Sequence, residues 1–324
     1  MNAHDEVKKH LPEKWEDFLR ILINRLSKTS PSLPTVRCLT RKTLVGVFRD
    51  VEKELGLPST FPTGIKILNA LISMGLATQI PVEETVKSAP SNEFYLMGFQ
   101  GSHKREIDPL ELLQAFSQEG IICYLSALGH LELTTQVPVH HHIAIPTRKR
   151  AALIKGPLET VPSLDPSEET PKRSKLGTRI FSYEGIPYYS TKRVISSIPG
   201  IKERVLSPWS TIRMTTIEQT LLDTLQYPYQ CGGPEVVFEA WQTARDRYEE
   251  EALLEDLKSI GLPPLIRRLG AVYHLLNYMP SKCLGAFLKE KRDQFFTQSE
   301  NPPIPLLRGL TFSQLDSYWN VLVP

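Results

Sequence analysis

At 324 residues, 41% of them hydrophobic, the chain is long enough for two or three domains with real cores. Its 38 Lys and Arg nearly cancel 36 Asp and Glu, which excludes a uniformly basic or acidic binder. Four scattered cysteines (Cys38, Cys123, Cys231, Cys283), no run of about 18 apolar residues and a charged start argue for a reduced, cytoplasmic protein without disulfides, membrane span or signal peptide.

The charge is unevenly placed. Residues 107–146 carry no Lys or Arg against 4 acids, 147–213 carry 13 cations against 6 acids, and 214–324 carry 10 against 14. The middle is therefore the stretch best suited to an anionic partner. In chain order, Trp15, Phe18, Leu19, Leu22, Ile23 and Leu26 recur at helical intervals and predict a helix over 12–27, broken by Pro31 and Pro34. Thr40 caps a second helix with Leu44, Val47, Phe48, Val51 and Leu55 on one face and Gly56-Leu57-Pro58 at its end. A third begins near Pro62, is expected to bury Ile65, Leu68 and Ile72, and stops at Gly75. Strands over 77–80 and 93–97 follow, joined by a polar loop.

Three helices and a two-stranded ribbon are the order of a winged helix-turn-helix, whose last helix enters the major groove of double-stranded DNA. On that reading Thr63, Lys66, Asn69, Ala70 and Ser73 point outward. Asn69 suits an adenine edge and Lys66 guanine or phosphate. Arg37, Arg41, Lys42 and Arg49 are candidates for backbone phosphates, which give position rather than sequence. The same module also serves as a protein-docking surface, and a single base-reading cation on the third helix keeps that alternative open.

Asp108-Pro109 opens a further helix with Leu110, Leu113 and Phe116, closed by Gly120. The segment 121–138 reads Ile-Ile-Cys-Tyr-Leu-Ser-Ala-Leu-Gly-His-Leu-Glu-Leu-Thr-Thr-Gln-Val-Pro. His140, His141 and His142 lie in a strand over 139–145, where alternation lets at most His140 and His142 share a ligand, so they read as surface histidines and no metal is expected. Residues 147–177, rich in Pro, Lys, Glu and Ser, read as a mobile loop with basic clusters at 148–150 and 172–175. A hairpin over 179–189 turns at Glu184-Gly185. Tyr183, Tyr188 and Tyr189 interleave with Lys192, Arg193, Lys202, Arg204 and Arg213, which fits single-stranded nucleic acid or a half-buried sheet equally.

The most informative stretch is 213–241. Thr215 and Glu218 have capping-box spacing, and Ile217, Leu221, Leu222 and Leu225 form one helix face ended by Tyr227-Pro228. Gly232-Gly233 supply a hinge and Pro234 a first-turn position for a second helix carrying Val237, Ala240 and Trp241. Glu218, Asp223 and Glu235 read as capping or solvated carboxylates, and Cys231 has no histidine linked to it, so nothing here is a catalytic device and no cofactor is implied. Two more amphipathic helices follow, one ended by Gly261 and one with Arg267-Arg268 outward. The apolar tail over 306–324 is expected to dock on the domain.

Thr-Thr-Ile-Glu-Gln-Thr-Leu-Leu-Asp-Thr-Leu followed by Pro228 and Gly232-Gly233-Pro-Glu235, together with Ser-Ala-Leu and Leu-Thr-Thr-Gln-Val-Pro in 121–138, resembles the AbiEi family of antitoxins and transcriptional regulators in type IV toxin-antitoxin and phage-defence systems. The resemblance implies an α+β protein: an N-terminal winged helix-turn-helix over 1–106 and a mixed α/β antitoxin-like domain with a helical end over 107–324. It further implies repression of its own operon by two copies on inverted repeats, and neutralisation of a nucleotidyltransferase-like toxin without a stable complex. The order of the N-terminal third also resembles the family's regulator module, with a longer leader and a longer wing loop over 81–90. A non-catalytic interaction subunit of a multi-protein anti-phage assembly is the alternative. A nucleic-acid enzyme is the least supported reading, since paired carboxylates, a phosphate loop and a nucleotidyltransferase Gly-Ser signature are all missing from the sequence.

Overall fold

The computed structural model describes residues 14–27, 37–57, 61–84, 93–98, 107–147, 176–207, 210–297 and 302–324. The two basic clusters and most of the expected wing loop lie outside these residues. In chain order the elements are α1 (Trp15–Ser27), β1 (Cys38–Thr40), α2 (Arg41–Leu55), α3 (Ile65–Ser73), β2 (Ala77–Ile80), β3 (Glu83–Glu84), β4 (Phe94–Met97), α4 (Pro109–Phe116), β5 (Ile121–Ile122), α5 (Leu125–His130), β6 (His141–Thr147), β7 (Thr178–Tyr183), β8 (Ile186–Val194), β9 (Ile201–Ser207), β10 (Ser210–Thr215), α6 (Ile217–Gln226), α7 (Pro234–Thr243), α8 (Glu250–Ile260), α9 (Pro263–Leu275), α10 (Lys282–Thr297), β11 (Ile304–Pro305), β12 (Gln314–Asp316) and β13 (Val321–Val323). The fold is mixed α+β. Two compact units divide it, one of residues up to Gly120 with Ile180–Tyr188 and Glu203–Arg213, the other holding the rest. The sequence put a boundary at 106, whereas α4 and two later segments group with the N-terminal residues.

In the first unit, Thr40 has extended geometry and its hydroxyl accepts from the Thr43 amide, which starts α2 as expected. Gly56, at φ 56°, ends it by donating to the Glu52 and Lys53 carbonyls. Leu44, Phe48 and Val51 face inward, and Trp15 stacks on Phe18 at 5.5 Å while Phe18 meets Phe48 and Phe61. The three-stranded sheet runs β1-β4-β2, antiparallel throughout, with Cys38 opposite Leu96 and Ala77 opposite Met97. Helix α3 buries Ile67, Leu68 and Leu71. That corrects the expected face: Ile65 and Ile72 are 47% and 38% exposed.

The β7–β8 hairpin turns at Glu184 and Gly185, both at positive φ, which the sequence signal located. Phe181 in it meets Phe94 at 4.9 Å, Tyr188 at 4.5 Å and Phe116 at 6.2 Å. Asp108 caps α4 by accepting from the Leu110 amide.

In the second unit β5 pairs antiparallel with β6 and parallel with the end of β10, where Met214 lies opposite Ile122. The helices pack around Trp241, which is fully buried. The C-terminal segment forms a small sheet in the order β11-β13-β12, and its Trp319, Val321 and Val323 are buried, so the tail docks as expected. Arg267 and Arg268 face inward rather than outward, each 6% exposed. Arg267 donates to the Trp319 carbonyl at 3.1 Å and to those of Pro302 and Asn320, and Arg268 to Pro305 at 3.0 Å. These carbonyls give the two guanidiniums hydrogen-bond acceptors in place of water, which makes their burial tolerable.

Candidate functional site

Two groups of residues carry the functional expectations, and the structure treats them differently. The first is the outward side of α3. Thr63, Lys66, Asn69 and Ser73 are exposed as expected and Ala70 is half-buried. The helix contains no acid. Exposed positions 65, 66, 69, 72 and 73 form one stripe, opposite the buried Ile67, Leu68 and Leu71. Gly64 precedes the helix at φ 44° with no side-chain cap, so Thr63 contributes its carbonyl, accepting from the Lys66 amide at 3.0 Å, and not its hydroxyl.

The cations proposed for phosphates differ in availability. Lys42 and Arg49 are exposed on α2. Arg41 is held by Glu93, whose two carboxylate oxygens both lie 3.3 Å from its Nη1; Tyr95 donates to the same carboxylate at 2.7 Å. Arg37 is committed elsewhere. Its backbone N–H donates to Glu111 Oε1 at 2.7 Å and its guanidinium to Glu111 Oε2 at 3.0 Å, with Ser210 Oγ adding a third donor at 2.6 Å. Glu111 is 1% exposed, and its carboxylate holds the Arg37 pKa further up. This bond makes Arg37 part of the unit's scaffold.

The second group is the motif stretch, whose polar residues turn inward in the second unit. Thr216, not Thr215, caps α6 by accepting from the Gln219 amide at 3.3 Å. Thr215 completes β10, and its hydroxyl meets that of Thr220 at 2.8 Å. Glu218 accepts from the Glu249 amide at 3.1 Å instead of closing a capping box. Asp223 is not a solvated carboxylate: it is fully buried, 2.7 Å from Arg193 Nη1, and accepts from Gln219 Nε2 at 2.9 Å. Arg193 also donates to the Ser197 carbonyl and lies over the rings of Tyr124 and Tyr227. Burial raises the Asp223 pKa despite the arginine beside it.

Around this pair, Leu221, Leu222 and Leu225 are buried. Thr224 donates to the Leu221 carbonyl and accepts from Trp241 Nε1 at 3.1 Å. Pro228 is buried and Glu235 is exposed. Gly232 and Gly233 sit at φ 94° and 105°, and a Cβ on Gly232 would meet Val236. Glu239, on α7, accepts from Thr134 Oγ1 at 2.6 Å and from the Thr135 amide and hydroxyl at 2.7 Å each. It thereby joins the 121–138 and 213–241 segments.

The three histidines are buried, not superficial, at 6%, 5% and 0% exposure. Alternation holds: the rings of His140 and His142 meet at 4.9 Å, and His141 lies by Ser126. Desolvation lowers all three pKa values, His141 to about 4 and His142 to about 3. Tyr188 is fully buried, which takes it out of any stacking surface. Cys231 is buried and its thiol is pushed well above its ordinary value, which disfavours a nucleophilic thiolate. Among the described residues no group of three or more His, Cys, Asp or Glu is placed to hold a metal ion, and no helix is long and apolar enough to cross a membrane.

Sequence reasoning missed Arg193, Gln219, Thr220, Glu111 and Glu239 as organising residues. Gln219 and Asp223 carried a local signal, four residues apart on one helix face. Arg193 and Glu111 carried none, because their partners are distant in sequence.

No family model and no curated protein matches the sequence. The backbone is similar to that in a crystal structure of the RV2827C protein from Mycobacterium tuberculosis, with a TM-score of 0.48 and 14% sequence identity over 97% of this chain and 92% of that one.

Proposed function

We propose that this chain is a DNA-binding transcriptional regulator with an antitoxin-like second unit, its N-terminal helices and three-stranded sheet acting as a winged helix-turn-helix. The observation that carries the reading is the element order α1-β1-α2-α3-β2-β3-β4, in which β1, β4 and β2 form one sheet ordered β1-β4-β2, together with an acid-free α3 whose stripe exposes Lys66, Asn69 and Ser73. That order suits a helix presented to the major groove. Lys66 and Asn69 supply base-edge donors, and Lys42, Arg49 and the Glu93-held Arg41 supply phosphate contacts. Repression of its own operon as a pair on inverted repeats, and counteraction of a nucleotidyltransferase-type toxin, follow from the resemblance to AbiEi in 121–138 and 213–241. The inward-facing polar residues of those segments favour a structural role for the motif over a catalytic one.

The second reading, a docking module in a defence assembly, is favoured by the exposed Ile65 and Ile72. Salt decides between them. Fluorescence anisotropy of the full chain on duplex from upstream of its own gene, against a scrambled duplex, should give selective binding that weakens steeply as salt rises. Replacing Lys66 and Asn69 together by Ala should remove the selectivity. Equal, salt-insensitive binding to both duplexes, or an unaffected double variant, would reject the regulator reading.

A further inference from the structure

The exposed stripe of α3 has an odd composition for a surface. Of its five positions, Ile65 and Ile72 are large and aliphatic, Lys66, Asn69 and Ser73 are polar, and no acid occurs in the helix. The two isoleucines lie on the stripe whose polar members suit base edges, 47% and 38% exposed, while Ile67, Leu68 and Leu71 are the residues the helix buries. Apolar side chains on a groove-reading helix have one specific counterpart among base edges, the 5-methyl group of thymine. Asn69, between them, has the amide geometry for the adenine N6 and N7 edge.

Resting on the regulator reading above, we infer that α3 selects A·T-rich half-sites, with Ile65 and Ile72 reading thymine methyls and Asn69 reading an adenine between them. The spacing agrees. Seven residues at about 1.5 Å rise put the two isoleucines about 10 Å apart along the helix, close to three steps of about 3.4 Å along one DNA strand. Lys66, on the edge of the stripe, then contributes guanine or phosphate affinity without setting the A·T preference.

The experiment uses the full chain. A duplex selected by it from a random-sequence pool is rebuilt with deoxyuridine for each thymine in turn, which deletes only the methyl group. Two thymines about three base steps apart should each cost about fourfold in affinity when demethylated, the contribution of burying one methyl-sized group. Ile65→Ala should abolish that loss at one of them and Ile72→Ala at the other. Both side chains are partly exposed, 47% and 38%, so the variants should keep the wild-type circular dichroism and a cooperative urea transition, and Ile→Val at either position should retain part of the discrimination. If a selective duplex emerges but deoxyuridine changes nothing, or the site is G·C-rich, this inference falls while the regulator reading stands. If no sequence is enriched at all, both fall, and the isoleucine stripe belongs to a protein contact.

Discussion

Arg193 and Asp223 show how a buried charge is tolerated. Both are almost fully inside, 2.7 Å apart, with Gln219, the Ser197 carbonyl and two tyrosine faces around them. Truncating one member strands the other charge, which costs about 3–5 kcal/mol, while replacing both by apolar side chains of similar volume recovers much of it. Arg193→Met or Asp223→Asn should therefore lower the urea-derived stability by that amount, and the paired Arg193→Met, Asp223→Leu variant should be less damaged than either. A single-variant loss below about 1 kcal/mol would show the pair to be more solvated than its geometry implies. The histidines make a separate prediction through pH. His141 and His142 titrate near 4 and 3 in the folded chain because burial disfavours the imidazolium. Unfolded, they titrate near 6.5, so the unfolded state binds more protons below that pH. Stability is then fully present above about 6.5 and is lost as pH falls, at roughly 1.4 kcal/mol per histidine per pH unit well below 6.5. Urea midpoints measured from pH 7 to 5 should decline, and His141→Asn with His142→Gln should flatten that decline; an unchanged slope in the double variant would assign it to other groups.

At the scale of elements, the start of α6 separates what local spacing reveals from what it does not. The chain offers Thr215 and Thr216 in succession, and the capping-box spacing with Glu218 selects the first. The structure selects the second, because Thr215 is the last residue of β10 and its hydroxyl is engaged with Thr220. Thr216→Ala should cost about 1 kcal/mol, the usual loss for a hydroxyl cap, and Thr216→Ser should restore it. Full stability in Thr216→Ala would place the cap elsewhere. Where both ends of an element are marked locally, as by Thr40 and Gly56 around α2 or Glu184-Gly185 in the hairpin, the sequence sufficed. Helix α3 was harder. Its apolar residues at 65, 67, 68, 71 and 72 cover two overlapping stripes, so only tertiary partners decide which one is buried. Arg267, Arg268 and Asp223 were misplaced for a related reason: charge reads as solvated unless a distant partner is known, and carbonyls of the tail or a strand arginine 30 residues away leave no trace in local periodicity. The α3 polar face was nonetheless legible, because Lys66, Asn69 and Ser73 fall outside both apolar stripes.

At the scale of the molecule, the first unit is assembled from three separate stretches of chain, which has a practical consequence for locating DNA binding. A fragment ending at residue 106 looks natural from the sequence, yet it removes Glu111 from Arg37, along with Ser210. It also removes Phe116, Phe181 and Tyr188, and so the ring of Phe181 that lies 4.9 Å from Phe94. Phe94 belongs to β4, the central strand of the three-stranded sheet, so its exposure weakens the scaffold behind α3, while Arg37 loses the carboxylate that fixes the entry to β1. The fragment 1–106 should therefore unfold at lower urea and less cooperatively than the intact chain, followed by Trp15, its only tryptophan. In the intact chain Glu111→Gln should lower the urea midpoint in the same direction by a smaller amount. A fragment with the midpoint and cooperativity of the intact chain would mean that these packing partners are dispensable. If instead it unfolds early, loss of DNA binding on truncation would report a damaged scaffold and not the absence of a reading helix. Surface substitutions on α3 in the full chain avoid that ambiguity, because Lys66, Asn69, Ile65 and Ile72 can be changed while Phe181 and Glu111 stay in place beside Phe94 and Arg37.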